Sequence, residues 1–250
     1  MKSAKILIII LTLAVLSVSG CGGGGGGNGN GNQGGQGEVS YNPVIDPANF
    51  VAGINNPYLP LMPGTTYLYH LSSADGTSQD DTVIVTHDTK TILGVKCTVV
   101  RDTAKSNGQL VEDTFDWYAQ DKDGNVWYFG EDTKQYDNGQ VVGTEGAWEA
   151  GVNDAKPGIV MEGNPKVGDV YRQEFAQGVA EDMGEVLGLD ESVTVSYGTF
   201  AHCVKTKDSS TLEPDVVENK YFCPDIGQVL TVTVAGGSDR QELVSVTTGG

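Results

Sequence analysis

The chain reads as an all-β protein, an antiparallel barrel or a two-sheet sandwich built from two related halves. Three observations predict it: runs rich in β-branched residues, turn dipeptides between them, and a self-similarity that lays one half of the chain over the other. Thr82-Val83-Ile84-Val85-Thr86, Cys97-Thr98-Val99-Val100, Val193-Thr194-Val195-Ser196-Tyr197 and Val229-Leu230-Thr231-Val232-Thr233-Val234 are such runs, and β-branched side chains fit a pleated, half-buried surface. Between the runs lie Ala74-Asp75-Gly76-Thr77, Asn107-Gly108, Asp123-Gly124-Asn125 and Asp137-Asn138-Gly139. Asn-Gly and Asp-Gly reach the positive φ that tight hairpin turns require. Helical periodicity is nearly absent. The best stretch for a helix, GVAEDMGEVLGL at 178–189, holds three glycines, each unfavourable in a helix interior.

The self-similarity is specific. Pro63-Gly64-Thr65-Thr66-Tyr67 lines up with Val167-Gly168-Asp169-Val170-Tyr171 at an offset of 104 residues, and later matches keep the offset between 103 and 106. A single β-rich domain over 41–250 is therefore expected, with one half at about 57–130 and the other at about 166–235. Residues 131–165 have no counterpart and read as an inserted loop region. Two antiparallel halves can close on each other and remove exposed edges.

YLPLMPGTTYLY, residues 58–69, resembles the opening of many β-rich bacterial envelope lipoproteins. These begin with a P-L-x-x-G-x-x-aromatic-x-Tyr strand and end hairpins with Gly-x-Val. DWYAQDKDGNVWYFGEDT, residues 116–133, is similar to a family of secreted bacterial proteins with no assigned activity. The resemblance spans most of residues 50–235. It implies a fold and an exported location, and it implies no catalytic residue.

The N-terminus supports export independently. Lys2 and Lys5 precede an apolar stretch at 6–16, too short to span a bilayer comfortably, and Val18-Ser19-Gly20 leads into Cys21. Residues 1–20 thus read as a lipoprotein signal peptide, with Cys21 as the lipidated (diacylglycerol, palmitate-type) mature N-terminus. Residues 21–40 read as a tether, because 22–37 contain only Gly, Asn and Gln. The expected location is the cell envelope, lipid-anchored on the exported side, and the outer membrane in a host with two membranes, since Gly rather than Asp follows Cys21. The formal charge is −18 with Lys2 and Lys5 counted and −20 without them. That balance disfavours nucleic acid as a partner and leaves an envelope protein or small ligand.

Three cysteines remain after Cys21. A hairpin centred near Glu213-Pro214 would place Cys203 opposite Cys223, the favoured disulfide, with Cys97 unpaired.

Chemistry-bearing stretches are few. Asp121, Asp123 and Asn125 have the alternating oxygens of a calcium loop, but Gly124 comes too early and no Glu follows at the right spacing, so a hairpin turn competes with calcium, the one cofactor the sequence suggests. Trp117, Tyr118 and Trp127 lie on adjacent strands with both faces aromatic, which fits a core or an aromatic-lined ligand cavity. In and beside the inserted loop, Glu145, Trp148, Glu149, Arg172, Glu174 and Asp182 form a candidate ligand or acid-base set. Alternation would give Arg172 and Glu174 one face of a strand, and Tyr171, Gln173 and Phe175 the other. The sequence shows no metalloprotease or nucleophile-elbow motif. The leading expectation is a non-enzymatic ligand-binding or interaction domain. A carboxylate-dependent hydrolase or lyase and a calcium-stabilised module are the alternatives.

Overall fold

The computed structural model describes residues 41–249. Cys21 and the tether lie outside them. After a 3-10 turn at Pro47–Asn49 come β1 (Phe50–Val51), β2 (Ile54–Asn56), β3 (Leu59–Leu61), β4 (Thr65–Ser72), β5 (Ser78–Ile92), β6 (Val95–Ser106), β7 (Gln109–Asp121) and β8 (Val126–Asp137). Next come β9 (Gln140–Gly143), β10 (Trp148–Glu149) and β11 (Lys156–Met161). The rest is β12 (Val170–Arg172), β13 (Glu174–Phe175), β14 (Asp182–Val195), β15 (Gly198–Ser210), β16 (Val217–Cys223), β17 (Gly227–Ala235) and β18 (Arg240–Thr248). No α-helix occurs among the described residues; the glycine-rich 178–189 stretch enters β14 and pairs with β15, with bulges near Gly188.

Two five-stranded meanders, β4 to β8 and β14 to β18, are joined by β18 against β4, with Leu243 opposite Tyr69. β5 and β14 begin 104 residues apart. β12 ends the sheet on one side and β13 on the other, and only Gln173 separates them in sequence. The chain thus steps from one sheet edge to the other in one residue, and the sheet is a nearly closed antiparallel barrel. Closure leaves little unpaired edge to recruit another chain. At this seam a Cβ on Gly158 would sit 2.4 Å from the Arg172 carbonyl oxygen, so only glycine lets β11 approach so closely.

One part of the interior is apolar, with Tyr67, Val83, Val85, Val100, Val126, Phe222 and Leu243 packed together. The β2–β3 hairpin adds Ile54, Leu59 and Leu61 to this cluster, and the Tyr67 hydroxyl donates to the Pro60 carbonyl (3.0 Å). Such a core supplies the main favourable term in folding. The remainder of the interior is polar.

Candidate functional site

Strand alternation turns Glu112, Thr114 and Asp116 of β7 inward, while Phe115 between them faces outward under the Arg101 guanidinium. The same period buries Asp81 on β5, Asp102 on β6, Asp208 on β15, and Glu218 and Lys220 on β16. With Glu131, Glu174 and Asp182, nine carboxyl groups share the interior with one lysine. They cannot all be ionised, because burying an unpaired charge is far costlier than holding a proton.

Burial pushes Asp81 up to about 6, Asp116 and Glu218 to about 7, and Glu112 to about 8. Burial and then the charges of Asp81 and Asp116 hold Asp102 well above the carboxylate range; burial and then Asp182 and Glu131 do so for Glu174. For Lys220, burial alone would lower the ammonium, but Asp208 and Glu218 override it and keep it charged. Lys220 Nζ lies 2.9 Å from Asp208 Oδ2, which also accepts from Gln173 Nε2 (2.9 Å). The Tyr128 hydroxyl donates to Asp116 (2.7 Å), and its ring stacks on Tyr118 at 4.8 Å. These side chains have almost no accessible surface, so the polar interior is filled rather than hollow.

The loop-region set is divided by the fold. Trp148 Nε1 donates to Glu174 Oε2 (2.8 Å) inside the barrel, beside Asp182. Arg172 lies outside. The expectation that Arg172 and Glu174 share a face fails because the chain changes sheet edges at Gln173: consecutive Gln173 and Glu174 are both buried, and alternation is interrupted. Glu149 forms a 2.6 Å ion pair with Lys90, whose Nζ sits 3.3 Å over the Trp117 ring, and Glu145 is exposed on a turn held by Gln135. The anticipated convergence of loop carboxylates on Arg172 and Glu174 therefore does not occur.

The β7–β8 turn uses the oxygens that a calcium loop would offer. Asp121 Oδ1 accepts from the amides of Asp123 and Asn125, and Oδ2 accepts from Asn125 Nδ2 and Trp127 Nε1. Asn125 Oδ1 accepts from the Gly163 amide. Among the described residues, no group of three His, Cys, Asp or Glu is placed to hold a metal. Cys203 and Cys223 are joined by a disulfide between β15 and β16; Cys97 is a buried free thiol, pushed up to about 12 by burial.

Outside the barrel, at the seam, lies an open cleft of about 630 Å³ lined by Tyr41, Trp127, Ile159, Tyr171, Arg172 and Met183, among others. Tyr41 is fixed by its hydroxyl, which donates to the Pro157 carbonyl (2.8 Å), and by edge contact with Phe175. Trp127 spends its N–H on Asp121 and packs edge-on against Phe50, so its ring lines the wall with no free donor. Of the three aromatics named from sequence, Trp127 reaches this cleft, Tyr118 is interior, and Trp117 lies under Lys90. Tyr41 and the interior carboxyls other than Glu174 and Asp182 escaped the sequence reading. Polar period-two strands such as Glu112-x-Thr114-x-Asp116 were the available signal, but alternation alone does not say which face meets water.

The chain matches no protein-family model, and no curated protein matches its sequence. Among solved structures it is similar to a candidate exported protein of Bacteroides fragilis with a YmcC-like fold, at 13% identity and a TM-score of 0.46, over 78% of this chain and 100% of the other. It is also similar to a candidate lipoprotein of Parabacteroides distasonis, at 13% identity and a TM-score of 0.44, over 77% and 99% of the two chains. At these values neither likeness carries an argument about this chain.

Proposed function

We propose that this chain is a lipid-anchored envelope protein, held through Cys21 and its glycine-rich tether, whose barrel binds a small ligand in the seam cleft without transforming it. The observation that carries the reading is the open, aromatic-walled cleft beside a filled barrel. Pockets that hold small molecules are concave and largely apolar, with a few polar groups that set orientation; this cleft has aromatic and aliphatic walls and the guanidinium of Arg172. The acid-base alternative is less well supported. Glu174 and Asp182, the two carboxyls that do come together, are 1% and 4% exposed, which gives a substrate no route to them. Gly22 after Cys21 accords with outer-membrane sorting in a host with two membranes.

Two measurements test the proposal. Cys21→Ser should move the full chain from the membrane to the soluble fraction. Chemical-shift mapping with a library of small acids and saccharides should perturb Trp127, Tyr171 and Met183 while leaving interior Tyr118 and Tyr128 unmoved. Perturbation confined to the interior would refute the cleft as the site.

A further inference from the structure

We infer that Arg172 is the anion-recognising residue of the seam cleft and that the ligand presents a single carboxylate on a flat or apolar body. The inference rests on the cleft being the binding site, and it names the ligand's chemistry.

The chain has three arginines. Arg101 is held by Asp113 at 2.8 Å and Arg240 by Glu242 at 2.5 Å. Arg172 has no carboxylate within ion-pair distance among the described residues, although acidic residues outnumber basic ones 33 to 15. Its guanidinium lies 4.7 Å from the Phe175 ring centre and 5.8 Å from that of Tyr41, and Nη1 is sealed from solvent with no hydrogen-bond partner. A cation stacked on aromatic faces and partly stripped of water interacts more strongly with an incoming anion than a solvated one does. Stacking also fixes the guanidinium in place, so little side-chain entropy is lost when a carboxylate docks from the cleft on its nitrogens other than the sealed Nη1.

Surrounding charge limits the anion. Glu181, whose carboxyl is lowered first by the Thr211 hydroxyl and then by the Gly178 amide and Arg172, is already engaged by the first two. Glu162 is pushed up to about 7 by burial and by Asp169, and both add negative field around Tyr171 in the cleft wall. One carboxylate neutralises one guanidinium. A phosphate dianion would leave an excess negative charge in this acidic setting. For the body of the ligand, the ring of Trp127, with Ile159 and Met183, offers contact area and no donor. A uronate sugar and a short fatty acid share this chemistry.

The test follows the Trp127 indole N–H resonance of the folded domain, assigned with Trp127→Phe. The probes are methyl galacturonoside, with its one carboxylate, against neutral methyl galactoside, octanoate against octanamide, and inorganic phosphate. Each carboxylate that fits should bind roughly ten- to a hundredfold more tightly than its neutral partner, the range for a charge-assisted hydrogen-bonded contact. Arg172→Met should erase that preference, and Arg172→Lys should keep part of it. Preference for the uronate arm identifies a glycan source, and for the octanoate arm an acyl source. Equal binding of charged and neutral probes, an unchanged preference in Arg172→Met, or tighter binding of phosphate overturns this inference and leaves the cleft reading standing. Silence of Trp127 to every probe overturns both. Should Arg172→Met shift the Trp117 and Trp148 signals and so disturb the fold, the charged-against-neutral comparison in the unaltered protein decides.

Discussion

Glu112→Gln should make the barrel more stable at alkaline pH and leave it almost unchanged at acid pH. Glu112 is 1% exposed, and its carboxyl accepts from the Thr114 hydroxyl (3.2 Å) and from Gln135 Nε2 (3.5 Å). Burial raises it from 4.5 to about 8. A carboxyl raised by folding binds its proton more tightly in the native state. Its contribution is therefore fully present below the unfolded value near 4.5 and is lost as pH climbs through 8. Each pH unit across that interval is worth about 1.4 kcal/mol, so the native state forfeits roughly 5 kcal/mol by pH 8.5 relative to a side chain that never ionises. Glutamine is such a side chain, of nearly the same shape. Urea unfolding of the wild type and Glu112→Gln at pH 5 and pH 8.5 reads the effect. The variant should match the wild type within about 1 kcal/mol at pH 5 and exceed it by several kcal/mol at pH 8.5. An equal difference at both pH values would refute the assignment of a proton to Glu112. Asp81, Asp116 and Glu218 shift in the same direction, so the wild type itself should lose stability between pH 5 and 8.5.

Other outcomes follow from the same interior. Lys220→Met leaves Asp208 buried without its cation and should cost about 3–5 kcal/mol near pH 8 in denaturant unfolding, with part recovered by adding Asp208→Asn. No recovery in the double variant would argue against direct pairing. Replacing Cys203 and Cys223 together by alanine removes a link across 20 residues and should cost about 3 kcal/mol in the same assay; a loss below about 1 kcal/mol would show that strand pairing alone holds β15 to β16.

How much was legible in the sequence depends on the length scale over which each feature is decided. Turn dipeptides act within four residues, and Asn107-Gly108 does sit at positive φ between β6 and β7. The strand runs are local too, since β-branched residues report a pleated, half-buried setting wherever they lie. Asp121-x-Asp123-x-Asn125 admitted two readings because identical oxygens can bind an ion or cap a turn. In the structure these oxygens also accept from Trp127 Nε1 and the Gly163 amide, the second 38 residues away from Asn125. Arg172 and Glu174 were placed on one face by a rule that holds only inside a continuous strand, and the sheet changes edge between them.

By itself the sequence determined an antiparallel all-β chain, through local backbone preferences and turn chemistry that need no distant partner. Only the tertiary structure decided which face of each strand is inside. Phe115 and Asp116 alternate whether the sheet is open or closed, and closure sealed the side bearing Asp116. The sealing raised the hold of Asp116, Asp102 and Glu112 on their protons, left Arg172 outside with no carboxylate within ion-pair distance among the described residues, and formed the cleft where two distant sheet edges meet.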